Sequence, residues 1–219
     1  MLLQNTQFKC SGLLFDMDGT LLNSEAATYR AYSWWASKHG LDTETVLKAG
    51  QGRRTADTVK SFAPTSVDIE TDILEIMRRE REDVDGVIEM PGAIALLKSL
   101  PPNRWAIVTS ADRQLALARL TAAGIPIPEV LITAENVQKG KPSPEGYLLA
   151  ARTLKLDPTE CIVFEDAPAG LVAGIEAGAM VIAISSSLMA SRLGNFSYLD
   201  DYRAMSVNVN SDDMTLLIG

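Results

Sequence analysis

Five short apolar runs constrain the fold of this chain more than any other feature. They are Leu13-Leu14-Phe15, Trp105-Ala106-Ile107-Val108, Val130-Leu131-Ile132-Thr133, Cys161-Ile162-Val163-Phe164 and Val181-Ile182-Ala183-Ile184. Each is too short for a helix, rich in β-branched or aromatic residues and free of polar alternation, as a strand buried on both faces reads. Beyond Met90-Pro91-Gly92 these runs alternate with stretches that predict helices over 93–100, 113–123, 144–154 and 170–177. Ser143 is the expected cap of the third, with proline in its first position. Alternating strands and helices imply a parallel sheet covered by helices. The expected fold class is therefore α/β, a three-layer Rossmann-like parallel-sheet core.

The segment between the first run and Pro91 breaks the alternation. It predicts helices over 25–39, 43–48, 56–62 and 67–83, with Ser24 as the N-cap of the first and Gly40 its stop. In the last, Ile69, Ile73, Ile76 and Met77 make one stripe, while Glu70, Asp72, Glu75, Arg78, Arg79, Glu80 and Arg81 read as a solvated charged face. The expected division is a core of 1–23 and 87–219 with an inserted helical cap of four-helix type over 24–86. Trp34 and Trp35 are read as packing residues of that cap. Near the end, Ser206-Val207-Asn208-Val209-Asn210 alternates like an edge strand, and 214–218 is expected to pair nearby.

The chain's 219 residues carry a net charge of −8. That excess of acid argues against a partner that needs a basic face, whether nucleic acid or an anionic membrane. The first residues lack a basic segment followed by a long apolar one, so no signal peptide is read, and no stretch reaches the roughly 18 apolar residues of a membrane helix. The expectation is a cytoplasmic monomer in which Cys10 and Cys161 are buried free thiols. His39, before Gly40 at a helix end, is read as favouring the helix dipole.

In open parallel sheets the ligand lies at the carboxyl ends of the strands. Those ends carry Asp16 and Asp18, Thr109 and Ser110, and Glu165 and Asp166, with Lys141 on a tight turn after the third run. Carboxylates, hydroxyls and a lysine on one rim suit Mg²⁺-assisted phosphoryl transfer through an aspartyl-phosphate. Asp16 is the expected nucleophile. Asp18, two residues on, can protonate the leaving oxygen and then deprotonate the water that hydrolyses the intermediate. Asp16 and Asp166, with the Asp18 main-chain carbonyl and neighbouring Glu165, are the candidate oxygen ligands for Mg²⁺. Thr109, Ser110 and Lys141 are candidates for binding the phosphoryl group.

Phe15-Asp16-Met17-Asp18-Gly19-Thr20-Leu21-Leu22-Asn23-Ser24, Val108-Thr109-Ser110, Lys139-Gly140-Lys141-Pro142 and Phe164-Glu165-Asp166-Ala167-Pro168-Ala169-Gly170 together resemble the motifs of the haloacid dehalogenase-like hydrolases. The helical insertion resembles the small cap of the subgroup holding bacterial sugar and hexitol phosphatases and yeast 2-deoxyglucose-6-phosphate and glycerol-phosphate phosphatases. The resemblance implies a Mg²⁺-dependent phosphatase of small phosphorylated sugars or polyols. Asp18 favours phosphate over halide chemistry, because halide leaves without a proton. A beta-phosphoglucomutase-like mutase is the alternative, since it shares the Asp16/Asp18 pair. Within Gly50-Gln51-Gly52-Arg53-Arg54, either arginine could contact the leaving group, with Arg54 preferred by position, and Glu25 is a further candidate for binding a polyol.

Overall fold

In the computed structural model, which describes residues 1–65, 67–185, 196–210 and 213–219, the chain opens with β1 (Thr6–Cys10), β2 (Gly12–Phe15) and β3 (Leu22–Asn23). Four helices follow: α1 (Glu25–His39), α2 (Thr43–Gly50), α3 (Thr55–Phe62) and α4 (Ile69–Glu82). Then come β4 (Ile88–Glu89), α5 (Ala93–Ser99), β5 (Trp105–Val108), α6 (Arg113–Ala122), β6 (Leu131–Ile132) and α7 (Glu145–Leu154). The chain continues through β7 (Cys161–Glu165), α8 (Pro168–Glu176), β8 (Met180–Ile184), β9 (Tyr198–Leu199), β10 (Met205–Val209) and β11 (Met214–Ile218).

The apolar runs assemble one parallel sheet, ordered β6-β5-β2-β7-β8-β9 among the described residues. β2 lies in its middle and is buried along its whole length, which is why it carries no polar alternation. Phe15 stacks on Phe164 of β7 at 4.9 Å and meets Trp105 of β5 edge-on at 6.5 Å. One face of the sheet packs Leu13, Phe15 and Ile107 against Leu96, Leu97, Ala116 and Leu120 of α5 and α6. The other packs Leu14 and Val163 against Tyr147, Ala150 and Ala173 of α7 and α8. The three layers follow. Because β5 and β7 flank β2 on opposite sides, the strand order reverses at the end of β2, where such sheets bind ligands.

The helices α1–α4 enclose their own apolar cluster of Ala31, Tyr32, Trp35, Val46, Val59 and Ile76. Both chain ends of this insert meet in an antiparallel ladder, Leu22 against Glu89 and Asn23 against Ile88. The charged face expected on α4 is not all solvated. Asp72 and Glu80, in register with Ile76 every four residues, are 2% and 3% exposed. Asp72 accepts from the Trp35 indole at 3.1 Å and from Lys38 at 2.7 Å, and lies 2.7 Å from His39 Nε2. Trp34 packs its ring under the Arg79 guanidinium at 3.9 Å.

Two further expectations shift at the ends of elements. Ser24 precedes α1 but its hydroxyl does not cap it; Asn23 accepts the Glu25 N–H instead, at 3.0 Å. β1, unread in the sequence, pairs with β11, giving an antiparallel sheet ordered β1-β11-β10 in which β10 takes the edge position expected of it. Cys10 and Cys161 are buried and unpaired, and burial pushes their thiols up to about 11 and about 12. Among the described residues no helix is long and apolar enough to cross a membrane.

Candidate active site

Asp16 is the first residue past β2, and its N–H still follows the ladder, donating to Phe164 O at 2.9 Å. The chain then folds back on itself: the N–H groups of Thr20, Leu21 and Leu22 all donate to Met17 O. Gly19 makes this turn with φ +79°, and an added Cβ would stand 2.1 Å from Asp166 Oδ2. A side chain there is opposed both by the left-handed backbone and by the Asp166 carboxylate. Gly19 is thus what allows the ends of β2 and β7 to bring Asp16 and Asp166 together.

Lys141 Nζ donates to both Asp16 Oδ1 and Glu165 Oε1, and all three side chains are buried. Glu165, fully buried, also accepts from Tyr147 Oη at 2.8 Å and from the N–H groups of Asp166 and Ala167 at 3.1 and 3.3 Å. It therefore holds Lys141 in place, and its oxygens are already committed. Tyr147 went unread as a site residue because it sits on an apolar helix face. Carboxylate oxygens of Asp16, Glu165 and Asp166 lie within 4.8 Å of one another. Burial, reinforced by Glu165, pushes the Asp16 carboxyl up despite the pull of Lys141, and burial with Asp16 does the same to Asp166. Ionised together, Asp16, Glu165 and Asp166 would carry more negative charge than one lysine relieves. An all-oxygen cluster with that surplus suits a hard divalent cation, which would favour both carboxylates in their ionised form.

Asp18 stands apart from this cluster. Its Oδ1 accepts from Ser24 Oγ at 2.6 Å and from Arg119 Nη1 at 2.8 Å. Arg119, a residue the motif reading missed, is 3% exposed and also donates to Thr28 Oγ1 and Glu80 Oε1 of the insert. Its signal was present in the sequence: Leu115, Ala116, Arg119 and Leu120 share the buried stripe of α6, so a charge falls on an apolar face.

Thr109 and Ser110 follow β5 and line the same opening. Neither caps α6, which Asp112 does by accepting from Gln114 and Leu115 N–H. The Thr109 hydroxyl accepts from Ala111 N–H at 3.1 Å, and Ser110 Oγ donates to Gly52 O of the insert at 2.8 Å. Arg53 lines the cavity, whereas Arg54 turns away to pair with Asp57 at 2.8 Å and donate to Gln138 O at 3.2 Å. The preference between the two arginines is thereby reversed, because Arg54 already has partners for its fork. Between sheet and insert lies a cavity of about 560 Å³, with Asp16, Asp18 and Asp166 at its floor and Asn23, Glu25, Lys48, Gln51 and Arg53 on its walls.

A family model described as haloacid dehalogenase-like hydrolase matches residues 10–178. Hexitol phosphatase A of Escherichia coli (strain K12) is 44% identical over 189 residues, covering 84% of this chain and 88% of that protein. Glycerol-1-phosphate phosphohydrolase 1 of Saccharomyces cerevisiae (strain ATCC 204508 / S288c) is 37% identical, covering 82% of this chain and 76% of that one. The crystal structure of CbbY from Rhodobacter sphaeroides in complex with phosphate covers 88% of this chain and 95% of its own, with a TM-score of 0.75 at 24% identity, a likeness of fold alone. With a carboxylate cluster at the switch point of a parallel sheet, and the family match running from the last residue of β1 to just past α8, this chain belongs to the haloacid dehalogenase-like hydrolases.

Proposed function

We propose that the protein is a Mg²⁺-dependent phosphatase that hydrolyses small sugar or polyol phosphates through an aspartyl-phosphate on Asp16. The observation that carries this reading is the position of Asp16. It stands at the end of the central strand, held by Lys141, beside Asp166 and at the floor of a polar cavity. In the first step an Asp16 carboxylate oxygen attacks phosphorus. The bond to the leaving oxygen breaks, and that oxygen takes its electron pair and a proton from Asp18. In the second step Asp18 removes a proton from water, whose oxygen attacks phosphorus. The P–O bond to Asp16 then breaks and its electrons return to the carboxylate. Lys141 offsets charge on the nucleophile, and Thr109 and Ser110, which line the same cavity, would meet the phosphoryl oxygens. Asp16, Asp166 and the Asp18 main-chain carbonyl would hold Mg²⁺, which supplies the positive charge that lets an anion approach a phosphate.

Asn23, Glu25, Lys48, Gln51 and Arg53 offer donors and acceptors suited to a hydroxyl-rich molecule. The similar proteins are named as phosphatases of a hexitol and of glycerol 1-phosphate. The test is phosphate release from a panel of phosphorylated sugars and polyols in the presence of Mg²⁺. Asp16→Asn is expected to lower turnover about 10³-fold or more with the fold intact, and undiminished release would remove the nucleophile. EDTA should abolish activity and added Mg²⁺ restore it. A mutase would return an isomer rather than free phosphate.

A further inference from the structure

Among the described residues, Arg119 joins Asp18 to two helices of the insert at once. Nη1 donates to Asp18 Oδ1 at 2.8 Å, while Nη2 donates to Thr28 Oγ1 of α1 at 2.9 Å and to Glu80 Oε1 of α4 at 3.0 Å. Arg119 and Glu80 are both buried, so this is no loose surface pair. Both Nη groups of the buried guanidinium are engaged, while its Nε is buried without a hydrogen-bond partner among the described residues. One planar fork reaching three partners on three elements is something an ammonium cannot reproduce.

The acceptor pattern on Asp18 is lopsided. Ser24 Oγ and Arg119 Nη1 both donate to Oδ1, and among the described residues no donor reaches Oδ2. With both donors on Oδ1, Oδ2 is the oxygen left open to proton transfer. We propose that Arg119 is a positioning residue for Asp18: seated by Thr28 and Glu80 of the insert, it fixes the carboxyl so that Oδ2 gives the proton to the leaving oxygen and takes one from the attacking water. This rests on Asp18 being the acid–base group of the reaction proposed above.

The consequence separates the two chemical steps. A polyol oxygen is a poor leaving group and needs the proton, whereas nitrophenolate leaves without one. Hydrolysis of the aspartyl-phosphate needs Asp18 with either substrate. Arg119→Lys, which keeps the charge and loses the fork, should lower kcat for a hexitol phosphate about 10- to 100-fold, within the range of general acid–base contributions, with KM changed less than about 3-fold. With p-nitrophenyl phosphate its first turnover should stay near the wild-type rate while the steady state falls. A burst of nitrophenolate should then appear, and acid quenching should trap more phosphorylated enzyme. Thr28→Val, which removes one acceptor from the same nitrogen, should give a weaker version of the same pattern, and it decides alone if Arg119→Lys does not fold. A raised KM with unchanged kcat, or first-turnover and steady-state rates lowered alike, would overturn the proposal, the first making Arg119 a substrate contact and the second a purely structural residue. Failure of the underlying reading looks different: Asp16→Asn would still turn over, or Asp18→Asn would show no burst.

Discussion

Gly19 shows how much of the site depends on single residues. Its φ of +79° and the 2.1 Å approach to Asp166 Oδ2 leave no room for a side chain. Gly19→Ala is expected to cost about 1–3 kcal/mol of stability through left-handed strain and to displace Asp166. The same substitution should raise the Mg²⁺ concentration for half activity about 10-fold or more, as changes beside metal ligands commonly do. A thermal melt and a Mg²⁺ titration of phosphate release check the two parts. Tyr147→Phe removes the 2.8 Å hydrogen bond to Glu165 and should cost about 1 kcal/mol, with Lys141 still in place and most turnover retained. At this scale the strand-end positions of Asp16, Thr109 and Asp166 were legible, because a polar residue closing an apolar run announces a strand end, and Lys141 was marked by its Gly/Pro turn. Arg119 and Tyr147 were hidden because they sit inside helices, where only their place on a buried face marks them.

The pairing of α1 with α4 turns on Asp72. Burial alone would raise its carboxyl, but hydrogen bonds from Lys38 and Trp35 and the charge of His39 outweigh burial and hold it below the usual range. A carboxyl lowered on folding stabilises the folded state fully above its unfolded value of about 3.9, and loses that contribution as pH falls through the lower folded value. Thermal stability should therefore decline on acidification below about pH 4, and Asp72→Asn should remove this part of the decline. The same substitution at neutral pH should cost about 1–3 kcal/mol, since Lys38 and the indole N–H lose a charged acceptor. Circular dichroism melts of both proteins across pH test this. The helix itself was readable from Ile69, Ile73 and Ile76. Which of its charges are buried was not, because that depends on a tryptophan and a lysine from another helix.

At the scale of the whole molecule, the insert has its own apolar core and, beside Ala27 of α1, which packs into the sheet's core, meets the sheet part through polar contacts. Ser110 Oγ donates to Gly52 O, Arg81 pairs with Asp112 at 3.0 Å, and Arg54 donates to Gln138 O. Gly52 has φ +71°, and an added Cβ would lie 2.7 Å from that of Ala167. Gly52→Ala should push this loop from the rim and raise KM for a polyol phosphate several-fold, while p-nitrophenyl phosphate, with no polyol for the loop to contact, is affected less. Steady-state kinetics on the two substrates checks the split. A melting temperature lowered as far as that of Gly19→Ala would instead indicate general destabilisation.

The net charge of −8 acquires a location in the same view, since Asp16, Asp18 and Asp166 line one opening and Glu165 lies buried beside Asp16 and Asp166. By itself the sequence determined the parallel sheet, the helical insertion and the strand-end residues, because apolar runs, helical periods and turn chemistry are local and printed in chain order. Only the tertiary structure decided the rest. It set Glu165 to holding Lys141, placed Arg53 rather than Arg54 at the cavity, paired β1 with β11 and ran Arg119 from Asp18 to Glu80. Each of these depends on contacts between residues far apart in sequence, where packing geometry, and no local pattern, determines which partner a buried charge or a strand edge meets.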